Sequence, residues 1–211
     1  MNDAYPLRPF RINDPGLLQK VIRQWPLATL ISGEIGSACI SLIPLLVKDH
    51  PSGDMHLCGH LDINNEHANA IQAGAPISFQ FTGPDVYVSP DLYASRQLPG
   101  WLYVSVKGDG TIESIMDTGE LKNLLHESTT AFGGTQQDFH LDPGDERIDR
   151  FIGGIKGFTI KVNRISGIAK LAQDKGIEDA RIATRFLLGT TDGSAKELLD
   201  LLLGETLQDN A

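Results

Sequence analysis

The chain is poor in the residues that would place it in several large functional classes. It has two cysteines, Cys39 and Cys58, and neither a CxxC pair nor an HExxH run. A zinc site therefore has no ligand set, and no metal is expected. Both thiols lie in apolar, strand-like segments, where a free buried cysteine is the expected state. No run of about 18 apolar residues exists, so no membrane-spanning helix is expected. The opening MNDAYPLRPF lacks the basic-then-apolar order of a signal peptide, which points to a cytoplasmic protein. Positive charge is scarce as well. A formal net charge of -9 opposes direct nucleic-acid binding, which relies on Lys and Arg neutralising phosphates, and opposes an anionic membrane surface. There is no Walker motif, and no GxGxxG joins a strand to a helix.

What is present reads as a β-rich middle with helices interspersed. Asp14 as a cap, Pro15 in the first turn and apolar Leu17, Leu18, Val21, Ile22 and Trp25 predict a helix stopped at Pro26. Strands are expected over Leu27–Ser32, Ala38–Val47 and Met55–Leu61, then a helix over Asn65–Ala73. Further strands are expected over Ile77–Phe81, Val86–Val88 and Leu102–Lys107, with Gly83-Pro84 a turn and GDG at 108–110 a hairpin turn into Thr111–Ile115. Helices capped near Asp117 or Thr118 and around Glu146–Ile152 flank a polar segment, Phe132–Gly144, expected to be mobile. Alternation returns over Gly157–Ile168, and two helical patterns, Ile177–Leu188 and Ser194–Leu203, end the chain. The row Leu198, Leu199, Leu201, Leu202, Leu203 must bury its face against the body or a second subunit. The expectation is one domain over residues 1–211, mainly β with peripheral helices (α+β), a closed or partly split antiparallel barrel, with a helical extension over about 177–205.

Chemistry-bearing residues concentrate in 79–107. Apolar runs at Phe79–Phe81 and Trp101–Val106 bracket a loop holding Tyr87, Ser89, Tyr93 and Arg96, with Trp101 and Tyr103 just beyond. Irregular loops longer than about 12–15 residues are uncommon unless functional or disordered, and this one is too aromatic for disorder. A flat, phosphate-bearing ligand suits it. Singly, each aromatic reads as core; together they favour a stacking surface, and Arg96 is either a phosphate partner or ordinary exposed charge. Gly59-His60 leads from a strand into a helix start at Asn64 and Asn65, where backbone N–H groups either grip an anion or are merely capped. His60 is the one residue that suggests acid–base chemistry near neutral pH, against a plain structural role. Lys161, Arg164 and Lys170 form a basic cluster that either meets an anion or is balanced by Asp174 and Glu178.

The run FTGPDVYVSPDLYASR, followed by PGWLYVSVKGDG, resembles the signature of the PaiB-type FMN-binding proteins, a family often labelled negative transcriptional regulators. Gly59-His60 and the late Lys170-Leu171-Ala172-Gln173 match two further elements in order and spacing, over roughly residues 14–188. The resemblance implies an FMN-binding split β-barrel of the pyridoxamine-phosphate-oxidase-like superfamily, a homodimer with flavin at the subunit boundary. By motif it implies Tyr87, Ser89, Tyr93, Trp101, Tyr103, His60, Asn65, Lys170 and Gln173 in or beside the flavin pocket. The phosphate is expected to meet some of Lys170, Arg96 and the Asn64–Asn65 helix start, with Arg164 a further candidate. Three positions depart from the pattern: Asp62-Ile63 replaces a basic residue, Leu102 an Asn and Ala172 a Ser. The implied activity is that of a flavin reductase or oxidase using a nicotinamide or other small substrate. The alternatives are a flavin- or haem-binding regulator without turnover, and a flavin-free interaction module.

Overall fold

The computed structural model describes residues 6–34, 36–49, 53–133, 139, 141–191 and 195–208. Among them are eight strands: β1 (Arg11–Ile12), β2 (Leu27–Ser32), β3 (Cys39–Pro44), β4 (Leu46–Asp49), β5 (Met55–Asp62), β6 (Pro76–Val88), β7 (Gly100–Ile115) and β8 (Ile155–Lys170). The α-helices are α1 (Pro15–Gln24), α2 (Thr118–Gly133), α3 (Glu146–Phe151), α4 (Ile177–Gly189) and α5 (Lys196–Gln208). The strands form one sheet in the order β3-β2-β6-β7-β8-β5-β4, with β1 against the end of β8. The pairings of β1, β2, β4 and β5 with their neighbours are antiparallel. Two compact units emerge, and β6, β7 and β8 contribute residues to both. A terminal unit comprises Met1–Trp25, Thr82–Val106 and Ser166–Ala211; a central unit comprises Pro26–Phe81 and Lys107–Ile165.

In the terminal unit, α1 forms as its spacing predicts. The Asp14 carboxylate accepts the Leu17 N–H at 2.8 Å, and Leu17, Leu18, Val21 and Ile22 are buried. Helix α5 packs on α1, β1 and the turn at Arg8–Phe10. A helix has one inward face, so Leu198, Leu199 and Leu202 are buried while Leu201 is half exposed.

The central unit is built on β2–β6 and β5–β8 ladders. Ala28, Leu30, Leu57, Phe79, Phe81, Phe158 and Ile160 are its fully buried side chains on those strands. The rings of Phe79 and Phe81 meet edge to face at 5.9 Å.

Glycines account for two of the differences from expectation. Gly83-Pro84 is not a turn: β6 runs through it, and Gly83 lets the Trp25 ring lie where a Cβ would come within 2.9 Å. The GDG at 108–110 is not a hairpin turn either, because β7 continues through it. A Cβ on Gly108 would strike the Arg164 carbonyl and come within 2.6 Å of Phe79 Cζ; one on Gly110 would strike the Lys161 carbonyl. These glycines serve close approach, of the Trp25 ring at Gly83 and of the β8 backbone at Gly108 and Gly110, rather than positive φ. The helix expected over Asn65–Ala73 is a single 3-10 turn, Glu66–Asn69. Of the segment expected to be mobile, residues 134–138 and 140 lie outside the described residues, while Phe132 and Gly133 close α2. Cys39 and Cys58 are free thiols, Cys58 buried and Cys39 partly so.

Gly110→Ala is expected to lower stability by about 1–3 kcal/mol, since backbone rather than a flexible side chain must yield. Gly153→Ala meets nothing within 4 Å and serves as its control. Urea unfolding midpoints of the two variants check this; equal midpoints would show that β7 has room to move.

Candidate functional site

In the terminal unit, the ends of β6 and β7 carry an exposed aromatic surface. Residue alternation sends Leu102, Val104 and Val106 into the core and Trp101 and Tyr103 to the other face. Tyr87 is 50% and Trp101 51% exposed, and their ring centroids lie 6.0 Å apart at 54°. The Trp101 indole is aimed by its Nε1–H, which donates to Asp85 Oδ1 at 2.9 Å. Two large rings left half in water on the neighbouring strands β6 and β7 form a ready stacking platform.

The connection from β6 to β7 is shorter than the sequence suggests, residues 89–99, because β6 continues to Val88. Its far half is held by Asp179 in the first turn of α4. The buried Asp179 carboxylate accepts from Ala94 N (2.8 Å), Ser95 N (3.1 Å), Ser95 Oγ (2.5 Å) and Gln97 Nε2 (2.9 Å). These donors, the Ser95 hydroxyl first, hold its pKa below the ordinary carboxylate value. Gln97 Oε1 accepts in turn from Lys175 Nζ, which sits 5.3 Å over the Tyr93 ring.

Tyr93 is 8% exposed, and its buried hydroxyl has no hydrogen-bond partner among the described residues. Burial, with the negative charges of Asp174 and Asp179, raises its pKa, so the hydroxyl remains a protonated donor. It faces the Gly100 backbone, where a Cβ would lie 3.8 Å away. Leaving such a donor unpaired costs about 1–3 kcal/mol.

The remaining expected residues of this unit divide by role. Arg96 is exposed and Lys170 half buried, and neither side chain has a hydrogen bond or ion pair among the described residues. Ser89 precedes the Pro90–Leu92 turn and donates weakly to Asp91 Oδ2 at 3.4 Å. Gln173 folds onto its own strand end: its Oε1 accepts from Leu171 N (2.6 Å) and its Nε2 donates to Ala169 O (2.5 Å). The Ala172 between them has φ +67, the one non-glycine residue with positive φ among the described residues.

In the central unit, Gly59-His60 lies on β5. A Cβ on Gly59 would come 2.5 Å from Leu45 Cδ2, so this glycine answers to packing. His60 is partly buried, and burial lowers its pKa, leaving a neutral imidazole. Asn64 is exposed and its N–H and Nδ2 both donate to Asp62 Oδ1; it anchors a turn. Asn65 caps the following turn through its Oδ1, which accepts from His67 N at 2.9 Å and Ser41 Oγ at 3.1 Å. The basic cluster is dispersed: residues three apart on a strand face opposite ways, and Lys161 pairs with Asp54 (3.2 Å), Arg164 with Asp109 (2.9 Å).

A buried constellation in this unit has no simple sequence signal. His67 is fully buried between Ser32 Oγ, 2.8 Å from Nε2, and Ser41 Oγ, 3.1 Å from Nδ1. Ser41 gives its proton to Asn65, so it accepts from Nδ1–H; Ser32 then donates to Nε2. The network is satisfied only with a neutral imidazole, consistent with a pKa lowered by burial against the opposing charge of Glu66.

The family model "Putative FMN-binding domain" matches residues 4–164. The chain is 22% identical over 202 residues to the protease synthase and sporulation protein PAI 2 of Bacillus subtilis (strain 168), covering 92% of this chain and 93% of that protein. The FAD and heme binding protein from Mycobacterium smegmatis superposes with a TM-score of 0.58 at 18% identity, over 82% of this chain and 79% of that one. The flavocytochrome Anf3 from Azotobacter vinelandii superposes with a TM-score of 0.55 at 15% identity, over 76% and 69%. The fold is the split β-barrel expected from the motifs.

Because His67 and His60 both have lowered folded-state pKa values, the unfolded chain binds more protons as pH falls below about 6.5. Stability is therefore expected to be full above that pH and to fall below it. His67→Gln should flatten the slope between pH 7.5 and 5, read as urea midpoints; an unchanged slope would mean His67 does not titrate differently on folding.

Proposed function

The chain belongs to the "Putative FMN-binding domain" family, and we propose that it is a homodimeric flavin-dependent oxidoreductase of the reductase or oxidase kind. The observation that carries this reading is the buried, unpartnered Tyr93 hydroxyl next to an exposed Tyr87–Trp101 platform. The terminal unit fits FMN by the chemistry of its groups. Tyr87 and Trp101 offer a face to the isoalloxazine ring, with Tyr103 beside them. Tyr93 offers a hydroxyl donor, while Arg96 and Lys170 offer unpaired cations to the phosphate. When bound, the flavin supplies hydride acceptance and donation; the chain's part is to orient it, exclude water and satisfy its polar edge. His60, neutral and partly buried, remains the acid–base candidate, while Asn64, Asn65 and Gln173 are engaged within their own turns.

Two departures from the family pattern weigh little. Leu102 is 2% exposed and core-facing, on the opposite side of β7 from Trp101. Ala172 is buried in a turn already closed by Gln173. The third, Ile63, supplies no cation after Gly59-His60, and the nearby Lys156, opposite Leu61 on β8, is engaged with the Ala68 carbonyl, so the phosphate reading rests on Arg96 and Lys170.

A homodimer is supported by the outer face of β2 and β3. Leu27, Ile31, Ile40 and Leu42 are 52%, 37%, 61% and 66% exposed, and Ile31 lies opposite Ile40 in the ladder. With β3 at the end of the sheet, so apolar a face invites a second copy. The regulatory reading draws on the similarity to a protein named for protease synthase and sporulation, and predicts flavin binding without turnover.

The test loads the purified protein with FMN, desalts it and follows NADH and NADPH oxidation. Retained flavin bands with steady oxidation support the enzyme; retained bands without turnover support the regulator. Arg96→Gln with Lys170→Gln is expected to weaken FMN binding tenfold or more, and unchanged affinity would remove these cations from the site. Ile40→Asp with Leu42→Asp should halve the mass seen by light scattering if β3 builds the dimer, and leave it unchanged if another face does.

A further inference from the structure

Helices α4 and α5 of the terminal unit enclose a cavity of about 650 Å³, within the size range of small-molecule sites. Its wall is unlike the rest of this acidic chain. Four cations line it, Lys175, Arg181, Arg185 and Lys196, against the single carboxylate of Asp200. Lys175 is engaged with Tyr93 and Gln97, but Arg181, Arg185 and Lys196 have no hydrogen bond or ion pair among the described residues.

Two features of the wall crowd positive charge, although Asp200 lies one turn after Lys196 and Glu178 one turn before Arg181. Arg181 and Arg185 are one turn apart on α4, an arrangement in which like charges repel. Lys196 opens α5, where the positive end of the helix disfavours a cation. Between these charges the wall is apolar, formed by Ile177, Leu188 and Leu203, and Ile177 is 69% exposed.

We propose that this cavity binds an amphipathic organic anion. A carboxylate or phosphate head sits among Arg181, Arg185 and Lys196, and a hydrocarbon body covers Ile177, Leu188 and Leu203. The guanidinium fork suits the two-oxygen geometry of either head group. An anion there relieves the repulsion between Arg181 and Arg185 and meets the positive end of α5, while the body removes exposed apolar surface from water. Lys175 lines the cavity and also lies over the Tyr93 ring.

Titration calorimetry on the protein in excess FMN tests this with decanoate, decyl phosphate and the neutral decanol. Decanoate and decyl phosphate are expected to bind saturably and to compete with each other, the tighter one naming the head group; decanol should bind at least tenfold more weakly. Arg181→Gln with Arg185→Gln should weaken decanoate binding tenfold or more with an unchanged circular dichroism spectrum. Lys20→Gln, on exposed α1 surface, should change nothing. Decanol binding as tightly as decanoate, unaltered decanoate binding by the double variant, or no saturable heat would overturn the proposal. Displacement of FMN by decanoate would overturn it too, since the cavity would then belong to the flavin site.

Discussion

The Asp179 carboxylate is the point on which the terminal unit depends. It is 3% exposed, and an isolated carboxylate out of water is strongly disfavoured unless donors replace its hydration. Here four donors from residues 94, 95 and 97 do so, which fastens the far half of the loop to the first turn of α4. Gln97 passes the constraint to Lys175, and Lys175 to the Tyr93 ring. The rigidity of this chain keeps the Tyr93 hydroxyl buried and unspent. A buried donor left unpaired in so well-bonded a place is a cost that calls for an explanation, and the proposed flavin supplies one.

The central unit is held by a different kind of constraint. Gly108 and Gly110 let β7 and β8 approach as larger residues cannot, and Gly59 does the same for β5 against Leu45 and Phe158. The buried Ser32–His67–Ser41–Asn65 network ties the end of β2 to β3 and to the turn after β5, with one tautomer satisfying every partner. Polar order inside this unit is thus spent on itself, and the unpaired groups suited to a flavin lie mainly in the terminal unit.

Much of this was legible in the sequence, because hydrophobic period and cap chemistry are local. The Asp14 cap, α1, the alternation of β2 and β3 and the apolar stripe of α5 follow from residues within a turn or two of one another. The concentration of aromatics likewise marked the Tyr87–Trp101 platform, although it did not separate these exposed rings from the buried Tyr93. What local reading misjudged were glycines, since a turn and a close approach by a residue distant in sequence demand the same residue: Gly108 and Gly110 meet the backbone of β8, and Gly83 meets the Trp25 ring at the end of α1. Asn65 and Gln173 hydrogen-bond to nearby backbone, and Asn65 to the Ser41 hydroxyl as well, partners that composition does not reveal. Asp179 and His67 were missed because their partners are donors and acceptors remote in sequence, among them Ser95 and Ser32, which no spacing announces.

The central claim is that FMN lies on the Tyr87–Trp101 platform and takes the free Tyr93 hydroxyl. A crystal structure of the protein grown with FMN tests it most directly. The account predicts isoalloxazine density against these two rings and a flavin oxygen or nitrogen within hydrogen-bonding distance of Tyr93 Oη. Flavin density elsewhere, with that hydroxyl still unpaired, would contradict it.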